Sequence, residues 1–146
     1  MGHIEATRTL SASPEALWAQ VSNLESWDQW FSVHEKWMAD VPAQLTEGTQ
    51  LVAKIVMLGM ANKIDWTVKE VSAPSKLVLA GVGMAGVKTE FTFTIEAADG
   101  GSQITVAGDF EGALIKGALA KAVEKDGLAQ LDKSLNSLDA LATASA

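Results

Sequence analysis

The sequence predicts an α+β protein: one strand and two short helices, then a six-stranded antiparallel meander and a long C-terminal helix. Residues 34–110 alternate between apolar and polar side chains, with short connections rich in Gly, Ser or Pro between the runs. Residues 14–31 place apolar side chains at helical spacing. The chain beyond residue 113 keeps a helical pattern, and its small, polar tail at 142–146 is expected to fray.

The composition of the chain excludes several classes of function. The chain has 146 residues, 48% of them apolar, with a net charge of −7 and no cysteine. This length predicts one domain spanning residues 1–146. The scattered Lys and Arg residues argue against nucleic acid as a partner, because its binding needs a concentrated basic surface. No run approaches the ~18 apolar residues of a membrane span, so we expect no stable membrane insertion and a cytoplasmic location.

The start of the helical region has a recognisable cap. Ser13 is a suitable N-cap residue, and Pro14 follows it at the first helical position, where a missing N–H costs nothing. This pair predicts a short helix that ends near Asn23. A second short helix is expected over residues 24–31, with its Trp and Phe side chains turned inward.

The connections between the meander strands are of two kinds that alternate along the chain. Alternate turns of a meander lie at opposite ends of the sheet, so one end is expected to be polar and the other apolar. The polar connections are residues 42–48, 72–75 and 99–102; the apolar ones are 58–61 and 82–87. The segment 110–115 leaves the last strand at the apolar end. We predict that Leu58, Met60 and Met84 form the rim of a hydrophobic pocket there.

The C-terminal helix does not keep one apolar phase. Leu114, Ala118 and Leu119 fall on one arc, whereas the leucines after Gly127, beginning with Leu128, fall on nearly the opposite arc. Two explanations are open. Either the helix kinks or breaks near Gly127 and provides a hinge, or its first half is covered from a different side.

This order of elements resembles the helix-grip fold of the START/Bet v 1-like (SRPBCC) superfamily, in particular its bacterial polyketide cyclase/dehydrase-like branch. The resemblance lies in residues 4–10, 13–18, 23–30 and 66–77 and extends over nearly the whole chain. It implies a curved, seven-stranded antiparallel sheet wrapped around the C-terminal helix, with an apolar cavity between them. Members of the family range from lipid carriers to cyclases, so the fold alone does not decide the function.

The apolar strand face defines the candidate ligand-binding wall. The alternative is that the same side chains form a solid core with no void. From the strands the predicted wall takes Trp37, Ile55, Met57, Trp66, Leu79, Phe91, Phe93, Val106 and Phe110. From the C-terminal helix it takes Leu114, Ala118 and Leu119. Small residues such as Gly81 and Gly108 either leave room for a ligand or allow close packing.

Arg8 is the one charged residue on the predicted inner face of the first strand. Its guanidinium would need an anion, which is either a ligand carboxylate or phosphate or a carboxylate of the protein itself. The strand carboxylates Asp65, Glu90, Glu96 and Asp109 fall on the polar face, and are expected to point to solvent.

The sequence contains two histidines. His3 and His34 show no metal-ligand spacing and are expected to be surface or hydrogen-bonded structural residues. The sequence therefore predicts no metal site, no cofactor and no catalytic residue.

The leading hypothesis is noncatalytic binding of a hydrophobic small molecule, such as a lipid or a polyketide- or isoprenoid-like metabolite. A cyclase or dehydratase is the alternative, with Arg8 and Thr89 as its nearest polar candidates. A third hypothesis is an interaction module that uses the apolar rim, and a homodimer is compatible with the same rim.

Overall fold

The computed structural model of the chain describes residues 2–57, 59–83, 86–112 and 116–144. A single antiparallel sheet holds seven strands in the order β1-β7-β6-β5-β4-β3-β2. The strands are β1 (Gly2–Leu10), β2 (His34–Trp37), β3 (Gln50–Met57), β4 (Met60–Ser72), β5 (Lys76–Val82), β6 (Lys88–Ala98) and β7 (Gly101–Glu111). The helices are α1 (Pro14–Val21), α2 (Trp27–Trp30) and α3 (Gly117–Ala144). The predicted fold class is confirmed.

The first short helix begins where the sequence places its cap. The Ser13 side chain accepts a hydrogen bond from the Ala16 N–H at 3.1 Å, and Pro14 is the first residue of α1. A single 3₁₀ turn at Leu24–Ser26 precedes α2, and the Asn23 side chain caps this turn. The second predicted helix is therefore one 3₁₀ turn followed by one α-helical turn.

The meander brings the apolar connections to one end of the sheet. The β5–β6 connection and the end of β7 lie together, because Lys88 pairs with both Val82 and Glu111. The antiparallel pairing places the β3–β4 turn at the same end of the sheet. A Cβ atom on Gly112 would lie 3.1 Å from a methyl carbon of Val87, so the chain leaving β7 runs beside the β5–β6 connection. We call this the tip end of the sheet.

One face of the sheet is buried and the other meets solvent. Strands β4, β6 and β7 bury every second side chain, as their period-two patterns predict. This inner face packs against the helices. Its buried residues are Ile64, Trp66 and Val68 on β4; Phe91, Phe93 and Ile95 on β6; and Ile104, Val106 and Phe110 on β7.

Helix α3 is continuous through Gly127, so of the two open explanations the break that provides a hinge is wrong. Its buried residues keep one phase from end to end, with spacings of three and four: Ala120, Val123, Gly127, Leu131, Ser134, Leu135, Leu138 and Ala142. Leu119 and Leu128 are exposed, at 39% and 44%. The first half of the helix lies close to β1 and buries small residues there, whereas its larger leucines point outward.

No helix in the described ranges is both long enough and apolar enough to cross a lipid bilayer.

Candidate functional site

Aromatic side chains from the sheet and from α2 meet on the inner face. Phe91 lies at their centre, with ring centroids 5.9 Å from Trp66, 5.8 Å from Phe110 and 5.7 Å from Phe31, all in edge-to-face geometry. Trp27 of α2 lies 6.0 Å from Phe93 in the same geometry. Together they give the inner face a wide, almost wholly apolar wall.

The Trp residues on the α2 side differ in how their indole nitrogens are satisfied. Trp27 Nε1 donates to the Val21 carbonyl at 3.0 Å, and Trp37 Nε1 donates to the Leu24 carbonyl at 2.7 Å. The first bond joins α2 to the last residue of α1, and the second joins β2 to the first residue of the 3₁₀ turn. Trp30 Nε1 is buried and has no hydrogen-bond partner in the described chain.

His34 is buried in this cluster, contrary to the expectation of a surface or hydrogen-bonded residue. Its ring lies 4.4 Å from the Trp37 ring and 6.1 Å from the Trp27 ring, and only 5% of the residue is exposed. Within the described ranges neither ring nitrogen has a hydrogen-bond partner. Burial lowers the pKa of His34 to about 4, and the nearby Asp28 carboxylate opposes this shift only in part. The imidazole is therefore neutral at physiological pH.

Thr89 is a second unpartnered polar residue on the inner face. It lies on β6 opposite Gly81 of β5 and Phe110 of β7, and its buried hydroxyl has no partner among the described residues. Across the described chain, His34 is the one buried residue with a titratable side chain; the other buried polar residues are Ser26, Thr89, Ser102 and Ser134.

The glycines of the inner face allow neighbouring side chains, mainly aromatic rings, to pack directly against the backbone, and they leave no empty space at their own positions. A Cβ atom on Gly81 would lie 2.7 Å from Ile64 Cδ1 and 2.8 Å from the Trp66 ring. A Cβ atom on Gly108 would lie 3.0 Å from the Phe91 ring. Of the two roles considered for these small residues, close packing is the one observed.

The structure brings most of the predicted wall together. Trp66, Leu79, Phe91, Phe93, Val106 and Phe110 are buried on the inner face, and Trp37 and Ile55 are partly buried at its β2–β3 side. Whether these residues contact a ligand remains a prediction. Leu58, Met84 and Leu114 lie outside the described residues, as do the side chains of Met57 and Met60.

Two helical residues of the predicted wall do not face the sheet. Ala118 and Leu119 are exposed in the first turn of α3, where Ala120 and Val123 form the buried face instead. The prediction for Ala118 and Leu119 is wrong, because the arc of the helix that contains them faces solvent. The helix buries its smaller residues at this close approach.

Arg8 pairs with a carboxylate of the protein itself. Its guanidinium contacts Asp132 of α3, and the two side chains are 42% and 52% exposed. Arg8 Nη1 also donates to the Thr7 carbonyl at 3.2 Å. The pair connects β1 to α3 at the surface, so Arg8 is not the isolated inner cation that would demand a ligand anion.

The solvent face of the sheet carries a shallow groove of about 450 Å³ near the tip end. Its acidic residues are Asp65, Glu90, Asp109 and Glu111, and Lys69 and Lys88 lie among them. At its β1 side, His3 Nδ1 lies 2.6 Å from Asp109 Oδ1, and this bond raises the pKa of His3. In the described part of the chain no group of three His, Asp or Glu residues is placed to hold a metal ion.

A family comparison fits this architecture. A family model described as polyketide cyclase/dehydrase and lipid transport matches residues 1–143. The chain belongs to this family. The predicted START/Bet v 1-like relationship is thereby confirmed, and the family implies a hydrophobic ligand-binding pocket.

Two relatives come from Mycobacterium tuberculosis. The uncharacterised protein Rv1546 is 30% identical over 135 residues, which cover 92% of this chain and 94% of the relative. The protein named toxin Rv0910 is 27% identical over 105 residues, which cover 72% and 73%.

Solved structures show the same fold at low sequence identity. A START superfamily protein from Mycobacterium smegmatis superposes with a TM-score of 0.75 at 20% identity, covering 92% of this chain and 94% of that one. The crystal structure of Ara h 8.0201 gives a TM-score of 0.72 at 16% identity, covering 97% of both chains. At these identities the likeness establishes the fold alone.

Proposed function

We propose that the protein binds a hydrophobic small molecule, such as a lipid or a polyketide- or isoprenoid-like metabolite, on the inner face of its sheet and does not transform it chemically. The observation that supports this most is the aromatic wall. Phe91, Trp66 and Phe110 come from three different strands and meet on the buried, apolar face of the sheet, and the description of the family includes lipid transport.

The energetics of such a site are favourable. Burial of apolar surface contributes about 25 cal/mol per Å², so a few hundred Å² of ligand contact supports roughly micromolar affinity after the entropic cost of association. The tip end is the proposed entrance, because the ends of β5 and β7 and the start of β6 lie side by side there.

The absence of catalysis is proposed from the inventory of buried groups in the described chain. His34 is the one buried titratable residue, and Thr89 adds a hydroxyl. Acid–base catalysis of a cyclisation or dehydration must remove one proton and deliver another, and in the described chain His34 is the one buried titratable group that could perform either transfer. The alternative cyclase or dehydratase function rests on His34 alone, as a buried neutral base.

Native mass spectrometry of the recombinant protein tests the proposal, together with solvent extraction and titration with a fluorescent fatty acid. We expect either a co-purifying apolar molecule or saturable uptake of the probe with one site per chain. Phe91→Ala should change probe affinity several-fold by reshaping the wall. Leu128→Ala removes an exposed apolar side chain of α3 and is the matched control, expected to bind like wild type.

Three results would count against the proposal. They are the absence of any bound or saturable ligand, equal effects of the two substitutions, or chemical conversion of a bound polyketide-like thioester that His34→Phe abolishes.

A homodimer remains compatible with the proposed site. Sedimentation velocity with and without the probe tests it: a dimer that uses the tip end should dissociate as ligand fills the entrance, whereas a dimer formed elsewhere should not respond.

A further inference from the structure

We infer that His34 is the polar anchor of the proposed site, and that the preferred ligand is a neutral, oxygen-bearing hydrophobic molecule such as a long-chain alcohol or ketone. This inference rests on the proposed function. It adds a chemical class of ligand and the residue that selects it.

The position of His34 supports the anchor role. It lies on β2 opposite Ile55 of β3, and the next inward residue of β2, Trp37, pairs with Ala53. His34 therefore belongs to the same inner face as the aromatic wall, at its β2–β3 side. Its ring packs beside the Trp37 and Trp27 rings, which also contact each other. Only 5% of His34 is exposed, so bulk water has little access to its ring.

The unmet hydrogen bonds of His34 are the main observation. A neutral imidazole offers one N–H donor and one nitrogen acceptor, and both lack partners in the described chain. The neighbouring indoles of Trp27 and Trp37 cannot supply them, because their N–H groups already bind the carbonyls of Val21 and Leu24. Leaving a buried polar group unpartnered is costly, so a ligand group that bonds to it gains affinity.

The unpartnered donor and acceptor of His34 determine which ligand groups it can bind. A hydroxyl group both donates and accepts, and matches the two functions of a neutral imidazole; a carbonyl oxygen matches its N–H alone. The Trp30 N–H is also buried and unpartnered in the described chain, and the Trp30 ring packs against Trp27, as the His34 ring does. A pure hydrocarbon would leave all of these groups unsatisfied.

Charge argues against a carboxylate. A buried carboxylate needs a cation, and the buried residues of the described chain include no Lys or Arg. Arg8, the cation that the sequence placed on this face, is bound to Asp132 at the surface. The pKa of His34, lowered to about 4, also keeps its ring neutral at physiological pH.

Calorimetric titration with ligands of matched chain length tests the inference. Decan-1-ol carries the hydroxyl, 1-chlorodecane replaces it with an apolar atom of similar size, and decanoate replaces it with a charge. We expect wild-type protein to bind decan-1-ol more tightly than decanoate at pH 7. His34→Phe should weaken decan-1-ol binding about tenfold and leave 1-chlorodecane binding unchanged.

Two further variants sharpen the test. His34→Gln keeps a donor and an acceptor, and should retain most of the preference for the alcohol. Thr89→Val removes a different unpartnered polar atom of the inner face at nearly constant volume and should leave the preference intact. His34→Leu replaces His34→Phe if the phenyl ring prevents folding.

The outcomes separate this inference from the proposed function. Binding of both neutral ligands with equal effects of His34→Phe on each, or loss of the alcohol preference in Thr89→Val alone, overturns the anchor role and leaves the binding function standing. Tighter binding of decanoate than of decan-1-ol overturns the neutral-ligand assignment. Binding of none of the three ligands overturns both proposals.

Discussion

A Cβ atom on Gly127 of α3 would lie 2.8 Å from Ile4 Cδ1 and 3.2 Å from Ile4 Cγ2 of β1. Real Cβ atoms do not approach other atoms this closely, so the glycine allows the helix to touch the first strand. Ile4 is buried and also packs close to Gly108 of β7. A Cβ atom on Gly108 would lie 3.2 Å from Ile4 Cγ1. Gly127 therefore sets the distance between α3 and the sheet.

Gly127→Ala is expected to destabilise the protein by up to about 2 kcal/mol. Alanine favours a helix by about 1 kcal/mol over glycine, but its methyl group must displace a packed isoleucine, and overpacking of a core typically costs about 1–3 kcal/mol. Urea denaturation measures the change in the free energy of unfolding.

Ile4→Val is the partner in a double-mutant cycle, because it removes the Cδ1 atom that the new methyl group of Gly127→Ala would meet. The cost of Gly127→Ala should be smaller in the Ile4→Val background, by an amount outside the error of the measurement. Stabilisation by Gly127→Ala in the wild-type background would show that the helix does not need this close approach.

Local patterns in the sequence are sufficient to predict most of the fold. Period-two alternation identifies the buried residues of β6 and β7, and the Ser13-Pro14 pair identifies the start of α1. The face that α3 buries could not be found in this way. It depends on how near the helix comes to Ile4, and a close approach buries Ala120 and Gly127 while the larger Leu119 stays outside.

In the candidate site, too, local sequence patterns predict some of the buried residues and miss others. Alternation correctly places Trp66, Phe91 and Phe110 on the inner face, but it misses His34. The register of β2 against β3 shifts between His34 and Lys36, an irregularity of the bulge type. The shift places His34 and Trp37, three residues apart, on one face, which strict alternation forbids. No local pattern in the sequence indicates this bulge.

Arg8→Ala is expected to leave ligand affinity unchanged within about twofold. The guanidinium is occupied by Asp132 at the surface, where such a pair contributes less than about 1 kcal/mol to stability. The measurement is a decanoate titration together with thermal denaturation, and Asp132→Ala is the matched control. If Arg8→Ala weakens decanoate binding tenfold while Asp132→Ala strengthens it, Arg8 is a ligand contact after all.

Ser134→Ala is expected to destabilise the protein by about 1–3 kcal/mol. Ser134 Oγ is buried in α3, accepts from the Ser32 N–H at 2.9 Å and donates to the Gln130 carbonyl at 2.7 Å. Alanine leaves the Ser32 N–H without this acceptor in the segment that leads into β2.

Thr143→Ala is the control for this substitution. Thr143 Oγ1 makes a similar bond to the Asp139 carbonyl, but at an exposed position near the end of α3, so its loss should cost less than about 0.5 kcal/mol. Urea denaturation of both variants makes the comparison, and equal costs would contradict a specific role for Ser134 in joining α3 to the start of β2.

The buried imidazole of His34 makes stability depend on pH in a definite direction. The unfolded chain protonates His34 near its ordinary pKa of 6.5, whereas the folded protein does so only near 4. Between these values the unfolded state binds more protons, so the free energy of unfolding falls as the pH decreases from 6.5 towards 4. The full contribution of His34 over this interval is on the order of 3 kcal/mol.

His34→Phe isolates this contribution, because acidic groups titrate equally in both proteins. At pH 7 the variant should be at least as stable as wild type, since it removes an unpartnered buried polar ring. As the pH falls to about 4.5 the variant should become progressively more stable than wild type. Urea denaturation at closely spaced pH values gives both curves, and parallel curves across this interval would show that the folded protein protonates His34 as readily as the unfolded chain.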